Sequence, residues 1–491
     1  MRRVARSLKT MRRLPVAGIA GVPVRIAVPA RAESSNATAS EPTHLRVKDT
    51  TSYRAHHARR RRRLWFVVAV LAAHLLADPR EQAHAQVGPP SQYDSDSLQK
   101  RLAKRGIRLG IRYDGEGFSD LSGGQRRGAT YLGNVNLELT LDAQRLIGWS
   151  GLTVFLYGLG IHGGHPSTLA GDAQGVSNIE GPTKWPLEEV WIQQDLFGNK
   201  FSALIGRYDL NSEFYRLQSA GLFLNSSFGV GPEFSQSGQA GPSIFPNTSV
   251  GARFEVKPVK EIVLRTAVLD GVPVDRPNGA RRIFAKGDGL LVAGEAAYLY
   301  RPVTSEQPRT RQFRIGRNCC GPYTGKVALG GWYYTATFDD LADIGPGGYP
   351  VRHRGSGGVY LLADQAVYQD SDHPERRLTL FGEIGIGDPR VNRFAYYTGG
   401  GLTVSALIPG RTQDELGIAV AGAHNGSQFI DAKRDQGMRE RRSEVTLELT
   451  YLAQFASHLA VQPDLQLVVN PNTDPGAKNA VAFILRFELS F

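Results

Sequence analysis

The chain closes on AFILRFELSF, residues 482–491. In an extended strand successive side chains switch faces. Phe483, Leu485, Phe487, Leu489 and Phe491 therefore share one side, and Ala482, Ile484, Arg486, Glu488 and Ser490 share the other. One face is more apolar than a solvated surface tolerates, while the other carries an Arg and a Glu. That division is what a sheet with lipid outside and water inside requires.

The same alternation recurs upstream. NVNLELTLD sets Val135, Leu137, Leu139 and Leu141 against Asn134, Asn136, Glu138, Thr140 and Asp142. SEVTLELTY repeats it with Val445, Leu447, Leu449 and Tyr451. Period-two runs predict sixteen strands, near 109–118, 134–142, 151–160, 187–196, 201–208, 249–257, 262–269, 290–299, 325–334, 358–367, 377–386, 396–407, 415–423, 443–454, 458–469 and 480–491. Links after even-numbered strands are mostly short, as in FGNK at 197–200 and PVKE at 258–261. Links after odd-numbered strands are mostly long and rich in Gly, Pro, Asn and Ser: 161–186, 209–248, 270–289, 335–357 and 424–442. Short turns on one rim and long loops on the other are the asymmetry of an outer-membrane β-barrel. The segment 300–324 breaks this rhythm and reads as a missed strand or a long periplasmic turn. Lipid forbids open sheet edges, so an all-β barrel of about sixteen strands must close by pairing 480–491 with 109–118. A secreted sandwich also alternates, but it hides its apolar face and lacks the two-rim asymmetry.

Charge distribution narrows the function classes. Residues 1–85 hold 17 Lys+Arg against 5 Asp+Glu, and the remaining 406 hold 41 of each, so the net +12 lies wholly in the leader. A basic folded surface for nucleic acid is thereby unsupported. Within the leader, Arg59–Arg63 precede the apolar LWFVVAVLAAHLLA at 64–77, and Ala83-His84-Ala85 precedes Gln86. This describes a signal peptide over 56–85, cleaved between Ala85 and Gln86, and too short in its apolar part for a spanning helix. Residues 1–55 read as a non-structured extension from a start site placed upstream. Residues 86–108 form a periplasmic segment in which SDSLQKRLAKRGIRLG at 95–110 predicts a short helix, capped by Asp96 or Ser97, that serves as a lid or plug at the periplasmic mouth. The outer-membrane barrel then occupies 109–491.

Several features invite other chemistry. GLGIHG at 158–163 matches a dinucleotide-binding spacing, but GHPSTLAGDAQG after it is loop, with no helix to meet a pyrophosphate. His162 and His165 have no fixed third ligand, so no metal and no cofactor is expected. Cys319 and Cys320 are adjacent, which suits neither zinc nor a disulfide framework. A barrel enzyme would need Ser226 or Ser227 beside a base such as His424, which nothing in the sequence brings together. The expectation is no enzyme activity.

LAKRGIRLGIRYDGE at 102–116, GDAQGVSNIEG at 171–181, LEEVWIQQDLF at 187–197, IGRYDLNSEFY at 205–215, AGLFLNSSFG at 220–229, GVYLLADQAVY at 358–368 and LTYLAQFASHLAVQPDLQLVVNP at 449–471 resemble the carbohydrate-selective porins of Gram-negative bacteria, the OprB family. The resemblance covers most of 95–491 in order and implies a barrel in the bacterial outer membrane, after export, that admits sugars through a constricted lumen. The terminal Phe491 resembles the signal that bacterial barrels show to the outer-membrane assembly machinery.

Sugars present hydroxyl pairs and apolar C–H faces, so a pore that prefers them needs charged partners and aromatic faces, held weakly. Glu189, Trp191 and Gln193 share one strand face. Arg207, Asp209 and Glu213 stand at the mouth of the 209–248 loop, which with Asn225 and Phe228 is the candidate constriction. Arg253, Glu295, Trp332 and Glu383 complete the inward-facing set. The partners expected are small neutral sugars, outer-membrane lipids and the assembly machinery. Each site residue is alternatively a wall charge paired across the lumen, and the whole a general diffusion pore or a structural barrel.

Overall fold

In the computed structural model, residues 95–273, 283–301 and 323–491 are described. The extension, the signal peptide with its Ala85–Gln86 junction, and Cys319 and Cys320 lie outside the described residues. A helix α1 (Ser95–Lys104) leads into sixteen antiparallel strands that close into one barrel. They are β1 Ile107–Gly124, β2 Gly128–Asp142, β3 Leu152–Gly163, β4 Leu187–Leu196, β5 Phe201–Tyr208, β6 Ser249–Val256, β7 Ile262–Asp270 and β8 Leu290–Tyr300. The second half comprises β9 Gly325–Ile344, β10 Pro350–Gln369, β11 Arg377–Gly387, β12 Phe394–Ser405, β13 Glu415–Asn425, β14 Ser443–Ala456, β15 Leu459–Val469 and β16 Lys478–Ser490.

The terminal strand closes the barrel as its alternation requires. β16 pairs with β1 through Arg486↔Glu116, Phe487↔Gly115 and Leu489↔Tyr113. The Phe491 backbone N–H donates to the Ile111 carbonyl at 2.9 Å. Ladder partners share a face, so the inner row of β16 can be followed around the sheet. It runs through Gln466, Glu448 and Ala419 to Gly401. Outside, Leu447, Leu449, Ile418, Val420, Leu465 and Leu467 remain exposed to the bilayer.

Two connections differ from expectation. β1 and β2 extend to meet across a three-residue link at 125–127. The stretch 335–357, expected as loop, is instead a hairpin in which β9 and β10 run twenty residues each. Its inward residues Ala336, Phe338 and Asp340 are buried while Thr335, Thr337 and Asp339 are exposed. Above the lipid belt the outer face turns polar, so the apolar half of the alternation disappears although the ladder continues. The expected helix over 95–110 ends at Lys104, because β1 takes over at Ile107. The anomalous 300–324 segment joins β8 to β9, and most of it lies outside the described residues.

The largest apolar cluster lies inside the barrel. Phe214, Leu217, Leu222, Phe223, Phe228 and Phe234 from the 209–248 loop pack against wall residues such as Leu204, Ala267, Ala328, Phe381 and Ala419. The long loop is a core element, and that places the constriction.

Candidate functional site

The loop carries enough apolar side chains to fold inward without becoming a strand. Each buried Phe or Leu contributes about 2 kcal/mol. Its rings meet wall rings in offset or tilted contacts: Tyr215 with Tyr360 at 4.4 Å, Phe223 with Phe381 at 5.5 Å, and Phe234 stacked on Trp332 at 4.2 Å. An irregular segment in a dry interior also needs acceptors for its backbone N–H groups. Wall carboxylates supply them. Asp209 N donates to Glu189 at 3.2 Å, Tyr215 N to Glu295 at 3.0 Å, and Gln218 N to Asp364 at 3.2 Å, where the Ser219 hydroxyl also donates at 3.1 Å.

Glu189, Trp191 and Gln193 do share the lumen face of β4, since they pair with inward Tyr157, Phe155 and Thr153. Trp191 stacks on Phe155 at 4.8 Å, and its Nε1–H donates to Glu189 at 3.2 Å. Arg253, Glu213 and Gln193 form one knot. The fully buried Arg253 donates from Nη2 to Glu213 at 3.1 Å and to Gln193 at 2.7 Å, and from Nη1 to the Ser202 hydroxyl at 2.8 Å, while its Nε lies in ion-pair contact with Glu213 at 2.7 Å. Glu295 accepts from Lys326 at 2.9 Å and from the Tyr360 hydroxyl at 2.9 Å. Asp209 caps the first turn of the loop by accepting Asn211 N at 2.9 Å. Trp332 and Glu383 lie buried on the lumen faces of β9 and β11, and Phe228 and Asn225 are buried in the loop.

Arg207 is a correction. It pairs with Val190 and Val250, while its neighbour Gly206 pairs with inward Trp191, so Arg207 stands on the outer face near the rim. Its Nε–H donates to the Thr248 hydroxyl at 2.6 Å, and Nη2 is 3.9 Å from Glu188. The register that follows from Trp191 decides its side; its charge and its place at the mouth of the loop had suggested the lumen.

The structure adds members that the sequence reading missed. Arg265 of β7 donates to Glu255 at 2.7 Å and lies 3.6 Å from Glu295, linking two carboxylates. With Lys326 next along and Asp364 its ladder partner, a row of polar and charged groups follows the inner wall from Gln193 on β4 to Asp364 on β10. Arg265 and Glu213 are the ladder's partly accessible members, at 16% and 15%, and Arg216 on the loop is exposed. A second polar cluster lines β1–β3 and β16: Arg112 with Asp114 at 2.9 Å, Asn136 to Asp114 at 2.9 Å, the Tyr157 hydroxyl to Asn136 at 2.6 Å, and Arg486 to Glu116 at 2.6 Å. Period two could have found Arg265, but IVLRTAVLD is apolar on both faces, so its inner side was not evident.

The remaining motifs are dispersed. GLGIHG lies on β3, with His162 on the lipid side 3.2 Å from the Tyr113 hydroxyl. His165 pairs with Glu180 at 3.5 Å. His424 is bonded to Ser443 at 2.7 Å and stacked on Tyr396. Ser227, in contrast, sits in the inward loop, bonded to Asn225 at 2.6 Å.

Comparison with known proteins agrees with this architecture. Porin B of Pseudomonas aeruginosa is 22% identical over 427 residues, covering 79% of this chain and 88% of that protein. The high-pH structure of Pseudomonas putida OprB superposes with a TM-score of 0.70 at 21% identity, covering 81% of this chain and 97% of that one. The low-pH structure of the same protein gives 0.51 at 17% identity, over 82% and 98%. Residues 126–491 match the family model described as carbohydrate-selective porin, OprB family. The chain belongs to that family, and it is an outer-membrane porin for carbohydrates.

Proposed function

We propose that neutral sugars cross this carbohydrate-selective porin along the charge ladder of β4–β10, with the 209–248 loop as the constriction. The observation that carries the reading is the linked row in which Arg253 lies 2.7 Å from the Glu213 carboxylate, and Arg265 lies 3.3 Å from the Glu213 carbonyl, 2.7 Å from Glu255 and 3.6 Å from Glu295. Paired guanidinium and carboxylate groups offer adjacent donors and acceptors, which suit the vicinal hydroxyls of a sugar. Because the charges compensate locally, they exert little net field on ions, and a neutral solute loses nothing by comparison. Arg265, Glu213 and Arg216 make the contacts, being the accessible members. The buried Glu189, Gln193, Asp209, Asn225, Phe228, Trp332 and Glu383 hold the track in shape, and Trp191 backs it as an aromatic wall. Contacts shared with protein partners stay weak enough for release. No catalytic step is part of this function.

The outer face of β16 is the segment offered to the assembly machinery. Its Phe483, Leu485, Phe487 and Leu489 row and Phe491 lie on the outer face, and its backbone edge is unpaired until β1 closes on it.

Liposome swelling tests the track. Glucose should enter faster than an uncharged polyol of equal size, and Arg265→Ala should remove that preference. Equal rates for both solutes in the unaltered protein would reduce it to a general pore.

A further inference from the structure

We infer that Glu448 of β14 is a positioning residue that sets the bore of the pore by clamping the tip of the 209–248 loop to the far wall. The loop is rooted between β5 and β6, and β14 lies eight strands from β6 in a closed ring of sixteen. The loop tip therefore reaches the opposite side of the barrel. There, Leu224 N donates to one oxygen of Glu448 at 2.5 Å and Asn225 N donates to the other at 3.1 Å. Both oxygens of one carboxylate are spent on consecutive backbone amides.

Two neighbours complete the clamp. Gln462 donates to the Leu222 carbonyl at 2.8 Å, and the Asn225 side chain donates to Gln466 at 3.2 Å. Gln466 also donates to the Val176 carbonyl at 2.9 Å, tying in the second inward loop, 164–186. The fit is close. A Cβ on Gly417 of β13 would stand 2.7 Å from both Leu222 and Phe223, so the tip lies directly on the wall. Glu448 and Gln466 are buried, and ladder partners. Solutes do not reach them, so their effect on transport runs through the loop.

A carboxyl group suits this position because both of its oxygens accept a loop amide. A glutamine keeps one acceptor and turns an amide N–H₂ toward an N–H, whereas an aspartate lacks the reach. Without the clamp, Leu222–Asn225 leave the wall while the root of the loop stays fixed, and the lumen widens.

The inference depends on the loop being the constriction, not on which solute the pore prefers. Single-channel recording in potassium chloride, with no sugar present, keeps the two readings separate. Glu448→Gln should raise the fraction of time spent in a larger-conductance state on the order of tenfold, as expected for losing a hydrogen bond to a charged group. Glu375→Gln, in the β10–β11 turn, should leave the record unchanged. A folded Glu448→Gln barrel with the parent's conductance states overturns the inference. Should that variant not fold, Gln462→Leu and Gln466→Leu carry the test, since each removes a neutral clamp bond. Parental records from both overturn it equally.

Discussion

Glu233 makes the inward loop sensitive to pH in a way that can be worked through. It lies on the single helical turn Pro232–Ser235 in the returning limb of the loop and is fully buried. Its carboxylate accepts the Tyr215 hydroxyl at 2.9 Å. The Tyr397 ring and the backbones of Gly231 and Gly385 close around it, and Glu383 on β11 is near enough for the two carboxylates to interact. Burial pushes its pKa up from 4.5 to about 7. A released loop exposes this carboxyl to water, where it titrates near 4.5. The docked loop thus holds a proton that the released loop gives up. Docking is strongest below pH 4.5, weakens as pH climbs, and levels off above 7. The total loss, 2.5 pH units at 1.36 kcal/mol each, is about 3 kcal/mol. In planar bilayers the ratio of wide to narrow conductance states should rise about tenfold per unit between pH 5 and 7, then flatten. Glu233→Gln keeps an acceptor for Tyr215 and cannot titrate, so its record should be markedly flatter across that window. A wild-type channel indifferent to pH between 5 and 7, or a Gln variant with the same slope, would refute the reasoning.

Two further outcomes follow from burial and facing. Arg253→Met removes the cation from a sealed site and strands Glu213 and Gln193, which should cost about 3 kcal/mol; denaturant titration in detergent micelles should show an earlier midpoint. Leu447→Arg puts a charge on the lipid face of β14 and should cost about 2–4 kcal/mol near the midplane, read as a lower yield of folded barrel in vesicles. If the arginine were tolerated there, Leu447 would not face lipid.

Period two determined most of the architecture. Sixteen alternating runs, short links on one rim and a last strand with an apolar side leave few sheets other than a closed barrel, because open edges are intolerable in lipid. The faces of β4 and β16 were readable from single residues for the same reason. The stretch 335–357 was not, since a strand that leaves the bilayer loses the apolar half of its alternation. Tertiary structure decided the roles of the lumen residues. Arg207 and Arg253 look equivalent in sequence, yet register turns Arg207 outward and seals Arg253 under the loop. Glu189 and Glu295 likewise read as groups for solute, until the folded loop shows them spent on its backbone amides. Alternation says which way a side chain points. What it meets there depends on a loop whose path is fixed by contacts far away in sequence, such as Leu224 with Glu448, and no local pattern encodes those.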